Sequence, residues 1–218
     1  MAKIEDTIVD FIKNYGTFYA SMLSQMTRIE DSKNTETIKV AIKNGRVTLK
    51  YNPDWFNPRT MKDSKALLEH ECLHIAMDHH ARSKDKDHEL WKYGCDLAIN
   101  QMLTHVPADA LTIDKVFEPY SVDRNETAEY YYEKLKKDNK AKQKAQAAGN
   151  GGCSEEFEDG GDESELNSEL TKEVVKQMVK EARDTVKRSP QMGTLPMGLE
   201  RYLDELFSPP KVSWKTLL

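Results

Sequence analysis

Apolar side chains recur at three- and four-residue spacing from the start of the chain, through Ile4, Ile8, Phe11, Ile12, Tyr15, Tyr19, Met22 and Leu23. That period predicts an amphipathic helix laying one stripe on a core. The period then falls to two. Ile38, Val40 and Ile42 alternate with Lys39, Ala41 and Lys43, and Val47, Leu49 and Tyr51 form a second alternating run. Asn44 and Gly45 between them suit the positive φ angles of a type I′ turn, so a β-hairpin is expected.

Pro53 and Pro58 bracket Trp55 and Phe56 and end the hairpin. Residues 60–82 then carry helix formers without Gly or Pro, which predicts a long helix. A second helix is expected over 89–103, before Pro107. A third fits 127–137, with Asn125 or Thr127 as N-cap and Tyr130, Tyr131 and Leu135 free to pack. The first 137 residues therefore read as one α+β domain, mainly helical with a small hairpin or sheet.

Composition changes after this point. Residues 137–148 are basic and rich in Ala and Gln, 149–152 are Gly and Asn, and 154–165 are strongly acidic. Such a stretch buries too little apolar area to offset its ordering entropy, so 138–165 is expected to be a flexible linker. The acidic run lacks the residue order of an EF-hand loop and reads as a solvated charge run. Helical periodicity returns over 166–187 through Leu170, Val174, Val175, Met178 and Val179, and a further helix fits 199–207 before Pro209 and Pro210. The apolar end from Trp214 to Leu218 looks like the entry to something further, making 166–218 a helical segment that leads to a missing domain.

The chain has 218 residues, 32 Lys plus Arg against 37 Asp plus Glu, and a formal net charge of −5. Net acidity argues against a nucleic-acid-binding role. No run reaches the roughly 18 apolar residues of a membrane helix, and the charges at Glu5, Asp6, Asp10 and Lys13 break any signal-like stretch. Cys72, Cys95 and Cys153 lack paired metal-ligand spacing and do not form a disulfide framework, which points to a reducing, cytoplasmic compartment.

Candidate chemistry lies in the long helix. His70-Glu71-Cys72-Leu73-His74 is an HExxH pattern. Four residues of helix turn through about 400° and rise about 6 Å, so both imidazoles leave one face and can chelate one ion. Glu71 sits about 100° round from His70, placed to act on a metal-bound water rather than to bind the ion. Zinc draws the pKa of such a water toward about 7, which lets a carboxylate create a nucleophile at neutral pH. The plain alternative is a pair of histidines that merely cap a charged helix.

A catalytic zinc takes a third protein ligand. Asp96 and Asn100 share a face of the second helix, matching the arrangement in which one carboxylate binds metal and the second group orients a histidine. We therefore favour His70, His74 and Asp96 as ligands, with Asn100 behind them. His80 has the ten-residue offset of the longer HExxHxxGxxH pattern, and is the alternative third ligand; the required Gly is replaced by Met77. On a helix continuing to Arg82, His80 would point about 80° away from His70 and His79 roughly opposite, out of reach. Trp91, Tyr93, Ile99 and Leu103 fit core packing, Cys72 and Cys95 fit buried thiols, His88 and His105 fit surface or capping positions, and Arg82 fits either a carboxylate pair or a solvated helix end.

The string from Glu69 to Asn100, with HExxH, then Asp78-His79-His80-Ala81-Arg82, Trp91, Asp96 and Ile99-Asn100-Gln101, resembles the putative metallopeptidase domain family of predicted metal-dependent peptidases. The likeness covers residues 1–137 well and 193–214 more loosely. It implies a zincin-like region, often joined to a von Willebrand factor A-like domain, with genes that neighbour MoxR-type AAA+ ATPases; the DxSxS motif of the von Willebrand-like domain is absent from this sequence. The expected function is a zinc-dependent peptidase that hydrolyses peptide bonds through a metal-bound water activated by Glu71, with a peptide substrate added as a strand along 38–42 or 47–51. The alternative is a non-proteolytic, metal-stabilised interaction module acting with partner proteins, among them an AAA+ ATPase.

Overall fold

The apolar stripe at the start of the chain folds as two helices, α1 (Ile4–Lys13) and α2 (Thr17–Ser24), where one was expected. Gly16 is the reason. Its backbone leaves helical geometry at φ −95°, ψ 37° and lies so close to Phe11 that a Cβ would sit 2.3 Å from Cδ1 of that ring. The computed structural model describes residues 3–14, 16–43, 45–148, 165–188 and 195–208.

The hairpin is present as β2 (Ile38–Lys43) and β3 (Arg46–Tyr51), antiparallel, with Gly45 at φ 68° in the connection. A strand not expected from the sequence, β1 (Thr27–Glu30), adds to the other side of β3 in parallel, so the sheet order is β1-β3-β2. β3 is thus the central strand. It is paired on both sides and cannot offer the edge for which 47–51 was a candidate; among the described residues β2 pairs with β3 alone.

A one-turn helix α3 (Pro53–Phe56) leads to α4 (Met61–Ala76), which carries the HExxH pattern. Thr60 caps α4 by accepting from the backbone N–H of Asp63 at 3.2 Å, which satisfies one of the orphan donors of the first turn. From Leu67 to Ala76 the helix is buried all round. Next come α5 (His88–Ile99), capped by Asp87, then α6 (Ile113–Val116) and α7 (Ala128–Lys137), capped by Thr127.

Residues 139–148, expected as linker, form helix α8 (Asn139–Ala148). Its alanines Ala141 and Ala145 are buried against the cluster that contains Val116 and Phe117, and Asp138 accepts from the N–H groups of Lys140 and Ala141. The basic residues that suggested solvation occupy the outer face. The acidic run, Cys153 and the last ten residues lie outside the described residues. Helices α9 (Glu165–Arg188) and α10 (Met197–Leu206) complete the fold. No described helix is long and apolar enough to cross a membrane.

Two hydrophobic clusters organise these α+β elements. The first joins α1, α2, the sheet, α4, α9 and α10, through side chains such as Phe11, Leu23, Leu49, Leu68, Leu73, Val179 and Leu203. The second joins α5 to α8, through Trp91, Leu97, Val116, Tyr131 and Leu135. α4 belongs to the first and most of α5 to the second, so the seam between the clusters is where these two helices face each other.

Candidate metal centre

The polar residues of α4 and α5 meet at that seam. His70, His74 and Asp96 are each 4–5% exposed. Nε2 of His70 lies 2.7 Å from Nε2 of His74, and Oδ1 of Asp96 lies 3.2 Å and 3.3 Å from these two nitrogens. The i, i+4 spacing on α4 delivers both rings to one point, with centroids 4.4 Å apart. Asp96 comes to the same point from α5.

Burial by itself would raise the Asp96 carboxyl, but the imidazoles beside it outweigh burial and hold it well below the usual carboxylate range. Its Oδ1 is buried and makes no hydrogen bond of standard geometry. A buried carboxylate oxygen facing two imidazole nitrogens is the donor set of a divalent ion with N and O preference. Zinc with bonds of about 2.0–2.2 Å separates tetrahedral ligand atoms by about 3.3–3.5 Å, so the two Asp96 distances fit and the imidazoles need only part slightly. His70, His74 and Asp96 therefore fit the metal that the motif implies.

Asn100, the C-cap of α5, lies behind His70, with its Oδ1 2.8 Å from Nδ1 of the ring and its Nδ2 donating to the carbonyl of Leu111 at 2.7 Å. Glu71 follows His70 on α4 and is wholly buried.

The predicted helix stops short at Ala76, which relocates the next histidines. Asp78 takes a left-handed conformation, φ 52°. Its N–H donates to the carbonyl of Ile75 at 3.0 Å, and the N–H of His79 to that of His74 at 3.1 Å. This pair of bonds is a Schellman turn, which puts the side chain of the residue after the turn back against the last helical turn. His79 thereby comes to His74, with Nδ1 to Nδ1 at 3.1 Å, contrary to the direction a continuing helix would give it. His80 is in neither of the metal-capable groups found among the described residues.

The sequence placed His79 out of reach of the site and Cys95 among buried thiols, and Cys95 is buried. Together with His74 they form a second group whose ligand atoms lie within 4.8 Å of one another. Only a helix stop at residue 77 would have signalled it, and Asp is a weaker stop signal than Gly or Asn. Burial drives the His79 imidazole well below its ordinary pKa, keeping the ring neutral. The indole of Trp91 donates to the His79 carbonyl at 2.9 Å. Arg82, whose alternatives were a carboxylate or solvent, takes a carboxylate: Nε and Nη2 donate to Glu129 at 3.0 and 2.6 Å, while Nη1 donates to the Met77 carbonyl at 2.7 Å.

The sequence profile of the putative metallopeptidase domain matches residues 5–218. The chain belongs to that family. It is also similar to an uncharacterized protein of Thermotoga maritima, 30% identical over 131 residues, which are 57% of this chain and 33% of that relative. The chain thus spans about a third of the length of that curated relative. No solved structure matches. Membership of the putative metallopeptidase domain family and the buried His/His/Asp group agree on a site suited to a metal ion.

Proposed function

We propose that the protein is a zinc-dependent peptidase of zincin type, in which His70, His74 and Asp96 hold the ion and Glu71 handles the proton. The observation that carries this reading is the meeting of Nε2 of His70, Nε2 of His74 and Oδ1 of Asp96 within 3.3 Å of one another at the seam. Zinc bound there would supply Lewis acidity, polarising the scissile carbonyl and drawing down the pKa of a coordinated water toward about 7.

The chain's own residues do the rest. Asn100 orients the His70 ring and fixes which nitrogen carries its proton. Glu71, one residue along from the first ligand and shielded from bulk water, takes the proton of the attacking water and returns it to the leaving amine.

Zinc stoichiometry and cleavage of a peptide library, measured on wild type and Glu71→Gln, test the assignment. The variant is expected to bind zinc as wild type does and to lose cleavage by roughly 10²-fold or more. Cleavage at the wild-type rate by Glu71→Gln would remove Glu71 from the chemistry. Zinc binding by a wild type that cleaves nothing would favour the non-proteolytic, metal-stabilised module.

A further inference from the structure

A third buried imidazole stands behind the first two and has no part in the chemistry just described. His79 is wholly buried, and its ring stacks edgewise between His74, at 5.2 Å between centroids, and Trp91, at 5.9 Å. Its backbone is held on both sides, by the Schellman bond to the His74 carbonyl and by the indole of Trp91. A histidine so placed is not filling space by accident of a flexible loop.

We propose that His79 is a positioning residue for His74: its Nδ1 accepts the Nδ1–H of His74 and keeps Nε2 of His74 facing His70 and Asp96. The proposal rests on the reading of His70, His74 and Asp96 as ligands. A neutral imidazole has one N–H and one lone pair. When the Nε2 lone pair of His74 is given to an ion, the hydrogen must reside on Nδ1, in a part of the molecule closed to solvent, and it needs an acceptor. The atom 3.1 Å away is Nδ1 of His79. Metal-bound histidines ordinarily give this hydrogen to a carboxylate, carbonyl or water. Here the acceptor is another imidazole, which then carries its own hydrogen on Nε2, a buried nitrogen with no hydrogen-bond partner among the described residues.

The two ligand histidines are thus oriented by different means. His70 is turned by a carboxamide from α5, and His74 by the residue that a Schellman turn returns to its own helix. The turn explains why the helix must stop at Met77: one more regular turn would carry His79 away from His74.

The test compares wild type, His79→Leu and His79→Asn for zinc affinity, by competition with a chromophoric chelator, and for the electronic spectrum of the Co²⁺-loaded protein. Asn places Oδ1 where Nδ1 stood and restores the acceptor; Leu keeps the bulk and removes it. His79→Leu is expected to bind zinc about 10- to 100-fold more weakly, and His79→Asn to recover most of that loss. Equal binding by wild type and His79→Leu overturns the proposal while leaving the ligand assignment intact, as does equal loss in both variants. A wild type that takes up no zinc overturns both.

A thiolate-to-cobalt charge-transfer band that Cys95→Ala abolishes would make His79 a ligand in the group with His74 and Cys95, and also overturns it. Should His79→Leu fail to fold, the imidazole tautomers of zinc-loaded wild type, read by long-range ¹⁵N–¹H NMR, decide the matter. A hydrogen on Nδ1 of His74 and on Nε2 of His79 supports the proposal; a hydrogen on Nδ1 of His79 overturns it.

Discussion

Asn100 dictates the tautomer of His70. Its Nδ2 must face the Leu111 carbonyl, to which it donates at 2.7 Å, so its oxygen must face Nδ1 of His70 at 2.8 Å. That nitrogen then carries the hydrogen and leaves the Nε2 lone pair directed at Asp96 and His74. Asn100→Leu removes the constraint while keeping the volume close. Zinc affinity measured by chelator competition should fall about 10- to 100-fold, with the far-UV circular dichroism unchanged.

On the proposed ligand set, binding of the ion would be coupled to folding. α4 and α5 belong to different hydrophobic clusters and are tied across the seam by groups that zinc would bridge. Thermal unfolding followed with and without a strong chelator should show a lower Tm for the stripped protein. The difference should grow with free zinc as RT ln(1 + [Zn]/Kd), about 2.7 kcal/mol at a hundredfold excess over Kd. His74→Ala should abolish the dependence on added zinc.

Arg82 and Glu129 join the turn after α4 to α7. Burial pushes the Glu129 carboxyl up, but the Arg82 guanidinium prevails and holds it below its ordinary 4.5. A folded-state value below the unfolded one gives stability that is full above about pH 4.5 and is lost as pH falls through the folded-state value. Since Glu129 is 43% exposed, the pair contributes only about 1 kcal/mol. Glu129→Gln should lose that amount at pH 7 in urea unfolding and show a shallower decline of stability as pH falls below about 4.5.

Gly94 lets α5 and α7 approach. A Cβ there would lie 2.8 Å from the Ala128 carbonyl oxygen and 3.0 Å from the Tyr132 nitrogen, both backbone atoms that cannot turn aside. Gly94→Ala should cost about 1–3 kcal/mol in chemical denaturation, against the gain in helix propensity that Ala brings elsewhere. Because Asp96 is two residues along the same helix, the variant should also bind zinc more weakly.

Much of the site was legible because it is built from regular helix. The spacing of His70 and His74, and of Asp96 and Asn100, needs only a 3.6-residue period to place each pair on one face, and the structure brings both pairs to one seam. The hairpin was legible for the same reason. What escaped depends on single residues that break a period. Gly16 splits the first helix because of its approach to Phe11. Asp78 ends α4 by adopting a backbone conformation that its residue type rarely takes. β1 has four exposed residues and thus no alternation to read, and α8 looked like linker because only two small alanines of it are buried.

A segment without regular structure also overhangs one side of the seam. Beside His70, Asp96 and Asn100 lies a cavity of about 20 Å³, walled by Leu67, Leu103 and Leu111, with room for about one water. Its roof, residues 103–111, has no helix or strand and is fastened at its edges: His105 to Asp63 at 2.8 Å, Asp109 to Arg59 at 2.7 Å, and the carbonyls of Ala108 and Ala110 to Lys115. On the ligand set proposed above, a peptide that comes from this side meets residues 103–111 before it meets His70 and Asp96. On that reading, the pace at which this roof moves would set how fast a substrate reaches the ion from this side.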